Sequence, residues 1–280
     1  MRDSGGSSLS SGEIPATILV FDSGLGGLTV FREIVRTRPD AHYVYVADDA
    51  FFPYGRHGEA ELTARVVPLM AELIVNYSPD LVVIACNTAS TLVLPHLREK
   101  FEVPFVGTVP AIKPACAASR SKRVSVLGTE ATVNREYTHA LIRDFAQGCE
   151  VTLVGSARLA GLAETALGGG AVTDADIAAE ITPCFSEADG ARTDTVVLAC
   201  THYPLLLDRL RALAPWPVDW IDPAPAIARR VTDLLAAPVA RASGILARQA
   251  VFTSGRAPGP ALRAALAAFG LHSASPAPAI

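Results

Sequence analysis

Two cysteines stand at matching places in two similar segments of the sequence. Cys86 ends the apolar run 81–85, and Cys200 ends the apolar run 196–199. Runs of this length predict buried strands, and the polar residues that follow predict the start of a helix. Both thiols are therefore expected at strand-to-helix turns, where α/β sheets hold their ligands. A single cysteine there reads as a small buried residue, whereas two in matched contexts favour a catalytic pair.

Small polar residues follow each of the two cysteines. Asn87 and Thr88 come after the first, and Thr201 and His202 come after the second. Such residues are common helix N-caps. The free N–H groups and hydroxyls at the start of a helix also bind a carboxylate without help from arginine. Because these segments contain neither Arg nor Lys, a small carboxylate ligand would have to be held by such donors.

Two further turns carry groups that could line the same cleft. Asp22 and Ser23 follow the first apolar run and open a glycine turn, where a buried carboxylate has little packing reason to be. The turn does not match a dinucleotide fingerprint, because Thr29 stands where that motif needs glycine. Pro53-Tyr54-Gly55 reads as a turn by its composition, and its ring and amides could face the cleft.

The thiols also allow a metal or a redox interpretation. Cys86, Cys200 and His202 could supply three ligands of a zinc site, but there is no obvious fourth ligand and neither C-x-x-C nor H-E-x-x-H occurs. A thiol–disulfide oxidoreductase would also need C-x-x-C or a strained, exposed pair. Spacing therefore disfavours both interpretations, no metal is expected, and acid/base chemistry is the leading hypothesis.

The composition indicates a soluble, enzyme-sized protein. The chain has 280 residues, half of them hydrophobic, and a net charge of −4. The absence of a Lys/Arg cluster argues against nucleic-acid binding, and no apolar run approaches the roughly 20 residues that a membrane span requires. The Ser/Gly-rich start carries no export signal, and five cysteines without regular spacing do not describe a disulfide framework. We expect a cytoplasmic protein.

Apolar runs and helical stretches alternate along the whole chain. This pattern implies parallel sheets with right-handed crossovers. The two halves echo each other, since each has a strand that ends in a small-residue turn and a later strand that ends in Ala-Cys. The predicted fold class is α/β, with two similar domains of mainly parallel sheets flanked by helices and an active site in the cleft between them. The predicted division is a disordered extension at 1–15, a first domain at 16–112 plus 222–272, a second domain at 113–221 that begins in a connection near 110–118, and a disordered tail at 273–280.

Four motifs, in order along the chain, carry a family resemblance. They are Phe21-Asp22-Ser23-Gly24-Leu25-Gly26-Gly27-Leu28-Thr29-Val30, Pro53-Tyr54-Gly55, Ala85-Cys86-Asn87-Thr88-Ala89 and Ala199-Cys200-Thr201-His202-Tyr203-Pro204-Leu205-Leu206. Together they strongly resemble the glutamate racemases, of the aspartate/glutamate racemase superfamily. The similarity runs from about Ile18 to Asp222. Any single motif would be a weak signal, whereas four in order are specific.

The resemblance implies interconversion of L- and D-glutamate without a cofactor, supplying D-glutamate for peptidoglycan. Racemisation removes the α-proton from one face of a carbon and returns a proton to the other, so two acid/base groups are needed. By resemblance, Cys86 abstracts the proton from D-glutamate with help from Asp22, and Cys200 abstracts it from L-glutamate with help from His202. The residues implied to bind the substrate are Asp22, Ser23, Pro53, Tyr54, Gly55, Asn87, Thr88, Thr201 and His202.

Some positions carry no site prediction. The family often has a basic residue near Gly128-Thr129, whereas Glu130 follows here, so no role is assigned to that turn. The remaining cysteines lack polar neighbours and read as packing or surface residues. They are Cys116, Cys149 and Cys184.

The resemblance leaves partners and rival functions open. The segment Val154 to Leu159 resembles the branch of the family whose members can require a peptidoglycan precursor as activator, so an activator is a hypothesis here, as is a homodimer. A relative acting on aspartate or a hydantoin would keep both cysteines and change the groups that read the side chain. A noncatalytic small-acid-binding protein has no need for two thiols, so their joint presence counts against it.

Overall fold

The computed structural model describes residues 15–146, 148–235 and 246–276 of the chain. The expectations for 1–14 and 277–280 lie outside the described residues. Within the described ranges the strands are β1 (Thr17–Asp22), β2 (His42–Ala47), β3 (Leu81–Ile84), β4 (Phe105–Gly107), β5 (Arg123–Thr129), β6 (Glu150–Ser156), β7 (Glu187–Ala188), β8 (Ala191–Arg192), β9 (Thr195–Ala199), β10 (Asp219–Ile221), β11 (Arg248–Phe252) and β12 (Ser273–Pro276).

Helices connect most of these strands. The α-helices are α1 (Leu28–Thr37), α2 (Glu59–Tyr77), α3 (Asn87–Leu92), α4 (Leu94–Lys100), α5 (Ile112–Ala118), α6 (Glu130–Val133), α7 (Glu136–Phe145), α8 (Leu159–Leu167), α9 (Asp174–Ile181), α10 (Leu207–Leu213), α11 (Ala224–Leu234) and α12 (Pro260–Ala268). Short 3-10 helices lie at Tyr54–Arg56, Thr182–Cys184 and Tyr203–Leu206. None of the described helices is long and apolar enough to span a membrane.

The first sheet is parallel, with the strand order β12-β11-β2-β1-β3-β4. Side chains of β1 alternate between two cores: Ile18 and Val20 pack with α1 and α11, whereas Leu19 and Phe21 pack with α2, α3 and α4. Burying each such side chain stabilises the fold by about 1.5–3 kcal/mol. Because helices cover both faces, the strands appear in the sequence as continuous apolar runs.

The second sheet is also parallel, with the strand order β10-β9-β5-β6. Leu127 and Leu198 face a core shared with α8 and α9, and Val126 and Val197 face a core shared with α5. A small antiparallel pair, β7-β8, lies outside both sheets. The predicted fold class, α/β with mainly parallel sheets flanked by helices, is confirmed.

Each sheet has one point at which the order of its strands reverses. In the first sheet this point lies between β1 and β3, and in the second it lies between β5 and β9. The carboxyl ends of parallel strands at such a reversal form a crevice that suits ligand binding. The strands β3 and β9 are the ones that Cys86 and Cys200 follow, so both thiols lie at these crevices.

The structure differs from the sequence-based expectation in three places. The connection expected near 110–118 contains the helix α5, because Pro114 stands in the first turn of that helix, where proline is tolerated. The hairpin β7-β8 is made of two-residue strands, too short to give a periodic pattern. Residues 273–276, expected in a disordered tail, form β12 beside β11 through backbone hydrogen bonds, at a sheet edge where proline is allowed.

Candidate active site

Both thiols line one cavity between the two sheets. Cys86 follows β3 as the N-cap residue of α3, and Cys200 follows β9. Each residue is 6 % exposed. Loops from both sheets supply the walls, so neither sheet holds the cavity alone. The lining residues are Ser23, Phe52, Pro53, Tyr54, Gly55, Cys86, Asn87, Thr88, Thr129, Ala160, Ala199, Cys200, Thr201 and His202.

Asp22 is the one predicted site residue that lies behind the cavity wall rather than on it. Its side chain is completely buried, and Oδ2 accepts hydrogen bonds from the N–H groups of Gly27 (2.9 Å) and Gly24 (3.3 Å). Oδ1 has no hydrogen-bond partner among the described residues. Burial raises the pKa of this carboxyl group. Asp22 therefore has a structural task in the glycine turn and keeps one oxygen available for chemistry.

The thiol of Cys86 is held in its protonated form. Its Sγ donates to Oγ of Ser23 over 3.7 Å. Burial, followed by the negative charge of Asp22, raises the pKa of Cys86 to about 12. Since the thiolate is the basic form of cysteine, Cys86 is set up in this state as a proton donor.

Cys200 belongs to a chain of three side chains. Its Sγ lies 3.8 Å from Nδ1 of His202, whose Nε2 lies 2.8 Å from Oε1 of Glu164. Burial acts to lower the pKa of His202, but the hydrogen bonds to Cys200 and Glu164 outweigh it and hold that pKa well above its usual range. The imidazole therefore places a positive charge beside the sulfur of Cys200.

Glu164 is a site residue that sequence reasoning missed. It lies on α8, and its Oε1 also accepts a hydrogen bond from the backbone N–H of Leu25 over 2.6 Å. Glu164 therefore joins the glycine turn of the first sheet to His202 of the second. A glutamate inside a helix, far along the chain from either motif, gives no local signal of such a role.

Two other contacts draw the loops of the two sheets together. Oγ1 of Thr29 donates to the carbonyl of Thr201 over 3.1 Å. A Cβ atom added to Gly26 would lie only 2.4 Å from Nδ1 of His202. The glycine at this position is therefore needed for close approach between the loops, not only for turn formation.

The turn Pro53-Tyr54-Gly55 lines the cavity, but the hydroxyl of its tyrosine is already bound within the protein. The hydroxyl of Tyr54 donates to Oδ2 of Asp48 over 2.6 Å, and burial, followed by the Asp48 charge, raises the pKa of Tyr54 well above its usual range. The backbone N–H groups of Tyr54 and Gly55 stand in the first turn of the 3-10 helix Tyr54–Arg56, where a helix offers its N–H groups no internal acceptor. The turn thus offers a ring and main-chain donors to a ligand, while its hydroxyl is occupied.

Asn87 and Thr88 bring polar side chains to the cavity lining. Asn87 is 2 % exposed, and neither its amide oxygen nor its amide nitrogen has a partner among the described residues. Oγ1 of Thr88 lies 3.3 Å from Oγ1 of Thr129 and 3.4 Å from Oγ1 of Thr132. Buried amide groups are nearly always paired, so those of Asn87 fit a site that receives a polar ligand.

Thr129 was not predicted as a lining residue, although the sequence contains a signal for it. Gly128-Thr129 ends β5, as Asp22-Ser23 ends β1, and each of these strands pairs with the one that leads into a cysteine. The echo between the two halves therefore pointed to this turn. The basic residue common in the family was the wrong feature to look for.

The remaining cysteines lie away from the cavity lining. All five cysteines of the chain are free thiols. Cys184 packs in the core of the second sheet with α9, and Cys116 packs on the opposite core with α5. Among the described residues no group of three or more His, Cys, Asp or Glu side chains is arranged to hold a metal ion.

Comparisons with known proteins agree with the motifs. The sequence model of the family described as Asp/Glu/Hydantoin racemase matches residues 18–231. The chain is 57 % identical over 244 residues to a glutamate racemase of Mesorhizobium japonicum, which covers 85 % of this chain and 92 % of that protein. It is 54 % identical over 256 residues to a glutamate racemase of Brucella canis, covering 91 % and 92 %.

A solved structure shows the same likeness. The fold matches that of Escherichia coli glutamate racemase in complex with L-glutamate and the activator UDP-MurNAc-Ala, with a TM-score of 0.85 and 41 % identity over 94 % of this chain and 98 % of that one. The family predicted from the four motifs is thereby confirmed. This chain belongs to the Asp/Glu/Hydantoin racemase family of amino-acid isomerases.

Proposed function

We propose that this protein racemises glutamate by proton transfer between two thiols and the α-carbon, without a cofactor. One observation carries the proposal: Cys86 and Cys200 reach a single cavity from two different sheets. Opposed thiols fit a reaction that removes a proton from one face of a carbon and returns one to the other. The similarity to glutamate racemases supports glutamate as the substrate.

In the L-to-D direction, Cys200 is the base. The protonated His202 stabilises its thiolate, which takes the α-proton of L-glutamate. Cys86, held as a thiol by burial, gives its proton to the opposite face of the carbanion. One turnover therefore leaves a thiol at Cys200 and a thiolate at Cys86. Before the next L-glutamate reacts, Cys200 loses its proton to water and Cys86 takes one up, which restores the starting state.

In the D-to-L direction, Cys86 must first lose its proton. The free Oδ1 of Asp22 is the nearby group that can orient this thiol or accept its proton, since the raised pKa of Asp22 makes the carboxylate more basic. The two directions thus rely on different assistants, Asp22 for Cys86 and Glu164-backed His202 for Cys200.

Hydrogen-bond donors take the place that a cofactor would otherwise fill. As the α-proton leaves, negative charge spreads into the α-carboxylate, and donors aimed at those oxygens lower the barrier. The amide of Asn87 and the hydroxyls of Thr88 and Thr201 lie in the cavity for this purpose. Ser23 and the main-chain N–H groups of Tyr54 and Gly55 complete the binding set, together with Pro53, which shapes the wall.

The test is isotope exchange at the α-carbon in D₂O. With UDP-MurNAc-Ala present, we expect the purified protein to incorporate deuterium into L- and D-glutamate and not into L- or D-aspartate. Exchange into aspartate alone would favour the rival aspartate racemase, and exchange into neither amino acid by a folded protein would contradict racemase activity. Deuterium at Cα, followed by mass spectrometry and chiral chromatography, reports chemistry and substrate class together.

We further propose that UDP-MurNAc-Ala activates this enzyme. We also propose that the D-glutamate produced by the enzyme serves peptidoglycan synthesis. The support is the 41 % identical Escherichia coli enzyme, whose structure contains this compound as an activator. We expect turnover of L-glutamate to rise when UDP-MurNAc-Ala is added to the purified protein, and not when UDP alone is added. Full activity of the purified protein without the compound would contradict activation.

A further inference from the structure

A buried carboxylate with four hydrogen bonds lies under the turn that forms one wall of the cavity. Asp48 follows β2 and is completely buried. Its Oδ1 accepts hydrogen bonds from Oγ1 of Thr253 (2.6 Å) and from Nη2 of Arg65 (2.6 Å). Its Oδ2 accepts hydrogen bonds from Nε of Arg65 (3.1 Å) and from the hydroxyl of Tyr54 (2.6 Å). Both oxygens are thus fully used within the protein, unlike those of Asp22.

Arg65 supplies the positive charge in this cluster. It lies on α2 with 24 % of its side chain exposed, and its fork binds both oxygens of Asp48. Bidentate pairing of this kind fixes both direction and distance, which a lysine cannot reproduce. The guanidinium also lies 6.0 Å from the ring centre of Phe51, which meets the ring of Tyr54 edge-on at 6.3 Å.

The cluster determines where the cavity wall stands. Tyr54 is 1 % exposed, and its hydroxyl is tied to Asp48, which is not among the residues that line the cavity. The ring position in turn sets the main chain of Gly55, a lining residue. If Arg65 were lost, Asp48 would keep a buried charge without its cation, and the carboxylate would have to shift toward another donor or toward water. Such a shift releases the hydroxyl of Tyr54.

We propose that Arg65 is a positioning residue for substrate binding, which acts through Asp48 and Tyr54 to hold the turn Pro53-Tyr54-Gly55 against the ligand. The role rests on the proposed function, since it assumes that this cavity receives glutamate. Arg65 touches neither the ligand nor the thiols. Its effect therefore falls on binding and not on proton transfer.

The test compares steady-state constants of variants with L- and D-glutamate. We expect Arg65→Gln to raise KM about tenfold in both directions while kcat changes less than about threefold. Arg65→Lys should recover part of the loss, because it restores the charge without the fork. The matched control is Arg209→Gln, which removes a helix arginine bound to the carboxylate of Asp174 outside the cavity lining. It should leave KM and kcat unchanged.

A double-variant cycle separates positioning from general loss of structure. If Arg65 acts through the hydroxyl of Tyr54, the Arg65→Gln/Tyr54→Phe double variant should raise KM no further than the larger single change. Unchanged KM in Arg65→Gln, or additive increases in the double variant, would overturn the proposal. Should Arg65→Gln fail to fold by circular dichroism, the same cycle is run with Arg65→Lys.

The outcomes also distinguish this inference from the proposed function. The wild-type protein is assayed first, with UDP-MurNAc-Ala present in every assay, and absence of glutamate turnover there contradicts the function. Normal wild-type turnover with an unchanged KM in the Arg65 variants contradicts only the positioning role. A lower melting temperature with unchanged KM assigns the cluster to stability alone and likewise overturns the role.

Discussion

The two thiols differ in the residues that surround their sulfurs. At Cys86, burial and then the negative charge of Asp22 favour the thiol, whereas Cys200 faces an imidazole whose positive charge is held by Glu164. A racemase that works in both directions needs both protonation states at once. The chemical asymmetry of the site thus comes from three helpers, Asp22, His202 and Glu164, and not from the cysteines.

The first prediction concerns the two thiols. Cys86→Ser and Cys200→Ser should each lower racemisation by about a thousandfold or more, because an alcohol is a far weaker acid than a thiol, so it donates its proton poorly and is hardly ever ionised to act as the base. Both proteins should keep the wild-type circular dichroism spectrum. Cys149→Ser, at a partly exposed thiol outside the cavity lining, is the control and should stay active. Wild-type turnover in either cavity variant would exclude the two-base mechanism.

The second prediction concerns pH and stability. The pKa of His202 is higher in the folded protein than the roughly 6.5 of an unfolded chain, so the folded state binds the extra proton. The contribution of His202 to the free energy of unfolding is fully present below about pH 6.5. It is lost as the pH rises through the pKa of His202 in the folded protein, at up to about 1.4 kcal/mol per pH unit.

Replacing Glu164, the hydrogen-bond partner of His202, tests whether His202 makes the protein less stable as the pH rises. Glu164→Gln keeps the hydrogen-bond acceptor but removes the charge, so the free energy of unfolding should fall less steeply above pH 6.5 than in the wild type. Urea denaturation at a series of pH values from 6 to 8.5 measures the two slopes. Equal slopes would show that Glu164 does not hold the proton on His202.

At the scale of elements, the site depends on how closely two loops approach each other. The glycine turn after β1 meets the loop after β9, and a Cβ at Gly26 would lie 2.4 Å from Nδ1 of His202. We expect Gly26→Ala to lower kcat/KM about a hundredfold, because it moves the imidazole and with it Cys200. Gly58→Ala is the control, since a Cβ there meets nothing within 4 Å. Steady-state assays of both variants measure kcat/KM. Equal kcat/KM in the two variants would contradict a functional role for the close approach at Gly26.

The elements were predictable where burial leaves a continuous pattern. The strands β1, β3 and β9 have helices on both faces, so their apolar runs were read directly from the sequence. The edge strand β12 was missed, because its pairing uses backbone groups that any residue supplies. The helix α5 was missed, because it has only 7 residues and contains Pro114, which stands in the first turn, where no hydrogen bond is lost.

Site residues were predictable from the sequence where they lie next to a cysteine along the chain. Residues that follow a strand directly, such as Asn87 and His202, share a local motif with their cysteine and were found. Glu164 and Arg65 sit on helices far along the chain and look like ordinary surface charges. Only the packing of α8 and α2 brings them to the cavity or to its supporting layer. Long-range placement of this kind has no counterpart in spacing.

At the scale of the whole molecule, the two sheets meet at their strand-order reversals, with one thiol on each side. The proposed two-thiol reaction at a single carbon would set a distance between the sheets. In that reaction each Sγ comes within about 3–3.5 Å of the α-carbon, on opposite faces, so the two sulfurs should lie roughly 6–7 Å apart when glutamate is bound. Contacts that cross between the sheets, such as Glu164 to Leu25 and Thr88 to Thr129, are those that would hold this distance.

A crystal structure of the glutamate complex measures this separation directly. The Cys200→Ser variant is the suitable protein, because it should bind glutamate without turning it over, and Oγ of the serine marks the position of the missing sulfur. A separation of roughly 6–7 Å with the α-carbon between the two atoms supports transfer across one carbon. If both atoms lie on the same face of the carbon, or if either is too far away to reach it, a single-carbon two-base reaction is excluded, whatever the variants do to turnover.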